Sequence, residues 1–183
     1  MSGRARRRSS PLAGVILVAV ATLVAVGCAG PTRATFPPLG QTPAPAGGAT
    51  AATAAQVIAA LAAVGLQAAE SNRPYRPPEG ALFAGAPRSV LEVTLPDDPN
   101  HGYVVVYALA SGTAAQAAAT DQATYIASGP GRVQFPLDSH FVLRVVGSTV
   151  AFFTWSPGTS PDPRTKSIED ALTTIGTGVP IPG

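Results

Sequence analysis

The two histidines of this chain, His101 and His140, are the residues best suited to acid–base chemistry near neutral pH. Asp138, Ser139 and His140 are consecutive and have the residue types of a catalytic triad. Neighbours in sequence seldom converge as a triad, however, and the chain has no Gly-x-Ser-x-Gly motif. We therefore expect no enzymatic activity. The alternative is a hydrolase or transferase, which requires one of these histidines within hydrogen-bond reach of a hydroxyl or an Asp.

The sequence predicts neither a metal site nor a cofactor. Asp97, Asp98 and Asn100 place oxygen ligands in one loop, but the EF-hand spacing and its distal Glu are missing. An ordinary solvated turn is favoured there, with calcium binding as the alternative. A single cysteine beside two histidines argues against structural zinc, and no phosphate-binding or dinucleotide-binding glycine pattern occurs.

The distribution of charge excludes a nucleic-acid-binding surface. The formal net charge is +2, but four of the twelve basic residues lie within residues 4–8, and the rest of the chain is net negative. Three further arginines, Arg73, Arg76 and Arg88, accompany a proline-rich loop. They are interpreted as exposed loop residues, with contact to anionic lipid or cell-wall groups as the alternative.

An apolar stretch follows the basic cluster and ends at the single cysteine, Cys28. A helix of residues 12–26 would rise about 22 Å, less than the roughly 30 Å core of a bilayer, which favours an export signal over a permanent span. Residues 24–28, Val-Ala-Val-Gly-Cys, resemble the lipobox of bacterial lipoproteins. Ala25 departs from the pattern, since such motifs most often have Leu at that position.

The resemblance to bacterial lipoproteins implies that residues 1–27 are a cleaved signal peptide and that Cys28 carries a diacylglyceryl group. The partner of Cys28 is then membrane lipid, and the protein is anchored on the extracytoplasmic side of the cell membrane. Two or three acyl chains hold a protein stably, whereas one anchors only marginally. The alternatives are an uncleaved single-pass anchor with a spacer role, or export through the twin-arginine route.

Residues 28–50 are predicted to form a tether, and residues 51–183 a folded domain. The tether is rich in proline and glycine, and it cannot bury enough apolar surface to offset its ordering entropy. Capping-box spacings predict helices over residues 54–64, beginning behind Thr53, and over residues 114–127. Gly65 and Gly129 are predicted to terminate these helices.

A third helix is predicted near the end of the chain. Asp162 and Pro163 have the types of an N-cap and a first helical residue. Ile168, Leu172 and Ile175 then recur at the spacing of one helical face.

Two β-hairpins are predicted between the helices. Alternating residues 91–95 and the apolar run 103–109 flank a turn-forming segment. Residues 141–146 and 149–155 flank Gly147-Ser148, a two-residue connection typical of a tight hairpin. The resulting order, α-β-β-α-β-β-α, predicts an α+β domain with an antiparallel sheet of about four strands and three helices.

Four aromatic residues of these strands are the candidate ligand-binding residues: Tyr103, Tyr107, Phe153 and Trp155. Because two of the strands are apolar on both faces, both faces of the sheet need cover, and packing in the core is the first interpretation of these side chains. The alternative is that alanine-rich helices leave an aromatic groove for an apolar ligand or an envelope protein. The sequence thus predicts a lipid-anchored binding or accessory module at the cell envelope.

Overall fold

The computed structural model describes residues 47–183, so Cys28, the predicted signal peptide and most of the predicted tether lie outside the described residues. The helices of the described part are α1 Gly48–Ala63, α2 Ala81–Ala84, α3 Gly112–Ala127, α4 Gly129–Arg132 and α5 Thr165–Thr173. Its strands are β1 Ala68–Glu70, β2 Arg88–Val93, β3 Tyr103–Ala108, β4 His140–Val146, β5 Thr149–Trp155 and β6 Thr177–Gly178. The domain is α+β.

All six strands belong to one antiparallel sheet with the order β1-β2-β3-β5-β4-β6. Both predicted hairpins, β2–β3 and β4–β5, are confirmed, and pairing of β3 with β5 joins them. The predicted count was too low by two strands and two helices. The missed elements are two to four residues long, too short to show a periodic pattern.

The sheet separates two apolar cores. Helices α1 and α5 cover one face, whose buried residues include Val57, Leu61, Val104, Val106, Phe153, Ile168 and Leu172. Helix α3 and the short helix α2 cover the other face, whose buried residues include Phe83, Val105, Tyr107, Ile126, Leu143 and Phe152. The expectation that both faces need cover is confirmed.

Helix α1 begins earlier than predicted. Its first residue is Gly48, so residues 48–50, assigned to the tether from the sequence, are helical. Thr53 does not cap the helix. It lies buried within it, with its hydroxyl oxygen 2.7 Å from that of Thr149 on β5. A tertiary hydrogen bond therefore uses the side chain from which the sequence predicted a cap.

The end of α1 is as predicted. Gly65 has a φ of +80°, a left-handed conformation that favours glycine. Its N–H donates to the carbonyl of Ala62 at 3.0 Å, and the N–H of Leu66 donates to Leu61 at 3.0 Å. This pair of bonds is a Schellman motif.

Helix α3 ends at Ala127 as predicted, but its caps differ from the prediction. Ser111 is the N-cap, and its hydroxyl accepts a hydrogen bond from the N–H of Ala114 at 3.1 Å. Gly129 does not terminate α3 by a left-handed turn. It is the first residue of α4, behind the shared cap Ser128.

Helix α5 begins at Thr165, with Arg164 as its N-cap, so the prediction of Asp162 and Pro163 as cap and first residue was wrong. Asp162 instead accepts hydrogen bonds from the backbone N–H of Arg164 at 2.9 Å and from its guanidinium at 2.8 Å. Two residues of the predicted apolar face, Ile168 and Leu172, are fully buried, whereas the third, Ile175, lies beyond the end of the helix.

Candidate functional site

The four candidate aromatic residues do not share one surface. Phe153 and Trp155 belong to the core beneath α1 and α5, whereas Tyr107 belongs to the core beneath α3. Tyr103 points the same way as Tyr107 because side chains alternate along β3. The four residues therefore cannot line a common aromatic groove, and two separate environments result.

Tyr107 is fully buried beneath the loop formed by residues 71–80. Its ring stacks on Phe83 with centroids 4.1 Å apart, and its hydroxyl donates to Oε1 of Glu79 at 2.5 Å. Burial and the neighbouring carboxylate raise the pKa of Tyr107 far above its usual range. The Glu79 side chain is 2% exposed and also accepts from Nε of Arg76 at 2.6 Å.

Tyr103 lies near the start of the same loop. Its ring stacks on Tyr75 at a centroid distance of 4.5 Å, and its hydroxyl accepts from Nη1 of Arg73 at 2.7 Å. Burial raises the pKa of Tyr75 to about 12. Arg76 also donates to the carbonyl of Ala84 at 2.9 Å. The side chains of Arg73 and Arg76, which were predicted to be exposed loop residues, therefore both bond to other residues of the domain.

Arg88, the third of these arginines, begins β2 and is opposite Tyr107 in the register of the sheet. Its Nε atom is buried and has no hydrogen-bond partner among residues 47–183. The hydrogen bonds of Arg73, Arg76 and Glu79 described above hold the 71–80 loop against the sheet.

Trp155 forms part of a second, more open cluster. Its Nε1 donates to Oε2 of Glu169 at 2.9 Å, and its ring stacks on the imidazole of His140 with centroids 4.7 Å apart. Nδ1 of His140 lies 3.6 Å from the same carboxylate oxygen. The cluster thus joins β4, β5 and α5 at one end of the sheet.

The Asp138-Ser139-His140 tripeptide does not form a triad. Asp138 accepts from the hydroxyl of Ser156 at 2.5 Å and from the N–H of Gly158 at 2.8 Å, and these bonds lower its pKa. His140 contacts Trp155 instead. The Asp138 carboxylate therefore bonds to Ser156 and Gly158, whereas the His140 imidazole stacks on Trp155.

The other histidine does contact a carboxylate. Nδ1 of His101 lies 2.5 Å from Oδ1 of Asp98, whose Oδ2 is buried without a partner among the described residues. Within this part of the chain no hydroxyl or thiol is hydrogen-bonded to the His101–Asp98 pair. Residues 47–183 also contain no group of three or more His, Cys, Asp or Glu side chains that could hold a metal.

A cleft of about 330 Å³ lies beside the second cluster. One wall is β4, through residues 141–144, and the second is α5, through Glu169 and Thr173. The third wall is the segment 178–180. Glu169 lines this cleft, and its carboxylate also accepts the hydrogen bond from Trp155, so the cleft adjoins the second cluster.

The cleft lies over the pair formed by β4 and the segment that begins at β6, since residues of both line it. β6 pairs with Arg144 and Val145, and the N–H of Val179 donates to the carbonyl of Leu143 at 3.0 Å. Since backbone groups alternate in direction along a strand, Phe141 also directs its N–H and C=O away from β5. Pro180 has no N–H to continue the pairing.

Neither Glu79 nor Glu169 was predicted as a site residue. Glu79 follows two prolines in a loop, and Glu169 lies next to the apolar face of a helix. From the sequence, both side chains are therefore expected to be exposed to solvent. The only available signal was weak: each is an acidic residue in a chain with few charged residues.

Comparison with protein-family models, with curated proteins and with solved structures finds no match to this chain. Across residues 47–183, no helix has both the length and the apolar character needed to cross a bilayer.

Proposed function

We propose that this protein is a lipid-anchored binding module on the extracytoplasmic side of the cell membrane. The observation that carries the binding role is the cleft between β4, α5 and the segment 178–180, which the carboxylate of Glu169 lines. At the other aromatic cluster, Glu79 accepts hydrogen bonds from Tyr107 and Arg76, and these contacts hold the 71–80 loop to the sheet.

The anchoring part of the proposal is supported by the sequence around Cys28. This only cysteine follows an apolar stretch and a lipobox-like motif. Between Cys28 and the first described residue lie residues 29–46, and a polyproline-II chain of that length would span about 56 Å. Such a span would let the domain work well clear of the bilayer surface.

Metabolic labelling with a fatty-acid analogue tests the anchor. The wild-type chain should incorporate the label, and the Cys28→Ser variant should lose it because the acceptor thiol is gone. Ala29→Ser is the matched control, since it changes the neighbouring residue and keeps the thiol. Equal labelling of wild type and Cys28→Ser would overturn the lipid anchor.

Photocrosslinking in intact cells tests the binding role. A photoreactive residue at Thr173, in the cleft, should form an adduct of one discrete mass, whereas one at Val133, an exposed residue of the loop after α4, should not. No adduct from either position would overturn the binding module. Adducts from Val133 alone would keep a binding module but remove the cleft as its site.

A further inference from the structure

We infer that two segments, residues 95–101 and residues 156–165, together bind a calcium ion, with Oδ2 of Asp98, Oγ of Ser160 and Oγ1 of Thr165 as its protein ligands. The site is separate from the cleft, and the inference depends neither on the cleft nor on the lipid anchor. It rests on three features of these segments: buried oxygens without partners, a hydrogen bond between the segments, and an excess of negative charge.

Three side-chain oxygens of these segments are buried and have no hydrogen-bond partner among residues 47–183. They are Oδ2 of Asp98, Oγ of Ser160 and Oγ1 of Thr165, whose residues are 5%, 5% and 0% exposed. A buried polar atom without a partner is costly. Within the described part of the chain only one other side-chain atom, Nε of Arg88, is in the same state. A ligand shared by the three oxygens would remove the cost at all of them.

A hydrogen bond joins the two segments close to these oxygens. The backbone N–H of Asp97 donates to Oδ2 of Asp162 at 3.2 Å. Asp98 directly follows Asp97. Ser160 lies two residues before Asp162, and Thr165 donates its backbone N–H to the carbonyl of Asp162 at 3.0 Å. The residues with unpartnered oxygens are therefore grouped around one contact between the segments.

The charge around this contact favours a cation. Its charged side chains are the carboxylates of Asp97, Asp98 and Asp162 and the guanidinium of Arg164, with the imidazole of His101 beside them. Arg164 and the N–H of Asp97 use both oxygens of Asp162. The side chain of Asp97 is 74% exposed. Since His101 contacts Asp98 only at Oδ1, Oδ2 of Asp98 is the buried carboxylate oxygen left for a ligand.

The chemistry of the donors selects calcium. A carboxylate and two hydroxyls are oxygen ligands, which hard cations prefer, and calcium accepts about six to eight of them, water included. Residues 47–183 lack a group of three His, Cys, Asp or Glu side chains, but this site differs from such a group because two of its donors are hydroxyls. With one charged ligand, we expect a Kd of about 0.1–1 mM, the range of extracellular calcium-binding modules.

The sequence pattern suggested different ligands for calcium. It offered Asp97, Asp98 and Asn100 of one loop, but Asp97 and Asn100 are exposed and only Asp98 is buried. The other two proposed ligands come from a segment about sixty residues later in the chain. The missing EF-hand spacing therefore does not bear on this site, because its ligands are not consecutive in one loop.

The test uses the full acylated chain in detergent, freed of metal with a chelator, and calcium chloride as the probe. Isothermal titration calorimetry should find one site with a Kd of about 0.1–1 mM. About 10 mM calcium should raise the Tm by about 3 °C or more, because the ion binds the folded state. Magnesium should bind at least about tenfold more weakly, since it demands a smaller octahedral site. Neither heat nor a Tm shift with calcium would overturn the inference and leave a buried water as the shared partner.

A carboxylate variant tests the charged ligand. Asp98→Asn keeps an oxygen acceptor for His101 and should bind calcium at least about tenfold more weakly. Asp97→Asn is the matched control, since it removes one charge from the same contact but no proposed ligand, and its Kd should change by less than about threefold. Equal losses in the two variants would show general attraction of cations rather than coordination by Asp98, and would overturn the site.

The hydroxyl variants test the other two ligands. Ser160→Ala and Thr165→Val should each weaken calcium binding by about threefold or more. In metal-free protein neither should lower the Tm through a lost hydrogen bond, because both hydroxyls are unpartnered there. A purely structural role would alter the metal-free Tm and leave the Kd unchanged. Wild-type affinity in both hydroxyl variants would overturn the assignment of these ligands, even if Asp98→Asn loses binding.

Discussion

The hydroxyl of Tyr107 donates to Oε1 of Glu79 at 2.5 Å, and both side chains are withdrawn from water between the 71–80 loop and the sheet. A buried carboxylate is costly unless donors surround it. Arg76 supplies the second donor, at 2.6 Å from Oε2. The strand β3 and the loop are thereby held together by a buried polar contact.

Tyr107→Phe should lower the free energy of unfolding by about 2 kcal/mol, because it leaves Glu79 buried with one donor fewer. Urea denaturation measures the change. Tyr125→Phe is the control, since the hydroxyl of Tyr125 bonds the exposed side chain of Gln134. Equal effects of the two substitutions would show that the Glu79 contact contributes nothing specific.

Gln122→Leu should release the end of the same loop. The buried amide of Gln122 accepts from the N–H of Gly80 at 2.7 Å and donates to the carbonyl of Pro78 at 3.1 Å. Leucine satisfies neither group, so we expect a loss of about 2 kcal/mol and faster hydrogen exchange at the Gly80 amide. Gln116→Leu, at an exposed position of the same helix, should leave both quantities unchanged.

Gly176→Ala should detach β6 from β4. Gly176 has a φ of +51°, and an added Cβ would lie 2.2 Å from the carbonyl oxygen of Val145. We expect a loss of about 2–4 kcal/mol from strain and overpacking together, with faster exchange of the Val179 amide.

Gly65→Ala is the matched variant for that substitution. Its φ is +80°, but no atom lies within 4 Å of the added Cβ. Backbone strain alone should therefore cost about 1–2 kcal/mol. If calorimetry finds the same loss for Gly65→Ala and Gly176→Ala, the clash with Val145 is not what makes Gly176 necessary.

Asp162 should make the domain sensitive to acid. The guanidinium and backbone of Arg164, with the N–H of Asp97, lower the pKa of Asp162 from 3.8 to about 2. A lowered pKa in the folded state stabilises the protein above the unfolded value, and this contribution is lost as the pH falls from about 4 to about 2.

The Asp162→Asn variant should therefore show a smaller decline of stability across that pH interval than wild type does, measured by urea denaturation. Some decline should remain, because the pKa of Asp138 is lowered as well. Asp121→Asn, at an exposed position, is the control and should decline like wild type. An unchanged decline in Asp162→Asn would contradict the assignment.

The sequence predicted correctly those features of the fold that depend on a few neighbouring residues, such as a helix end and a hairpin turn. Gly65 and Gly147 both have positive φ, and each ends or turns an element where the sequence placed it. The hairpin around Gly147 pairs over its whole length, from His140 with Trp155 to Val146 with Thr149. Such features depend on backbone conformations that few residue types adopt, so they are readable without a tertiary structure.

Contacts between distant segments could not be predicted in this way. Thr53 has the spacing of a capping residue, but it bonds Thr149, ninety-six residues away. Asp162 has the type of an N-cap, yet Asp97 and Arg164 compete for its oxygens. In both cases a polar side chain has several partners of similar strength, and packing selects among them.

By itself, the sequence determined that the chain contains an α+β domain with two hairpins, and it supplied the lipobox-like residues from which an anchor at Cys28 is proposed. Only the tertiary structure decided that Tyr107 and Trp155 lie on opposite faces of the sheet and that Glu169 and β4 line one cleft. The reason is physical: periodicity and turn residues depend on neighbours along the chain, whereas the cleft forms where β4, α5 and the segment 178–180, which are distant along the chain, come together.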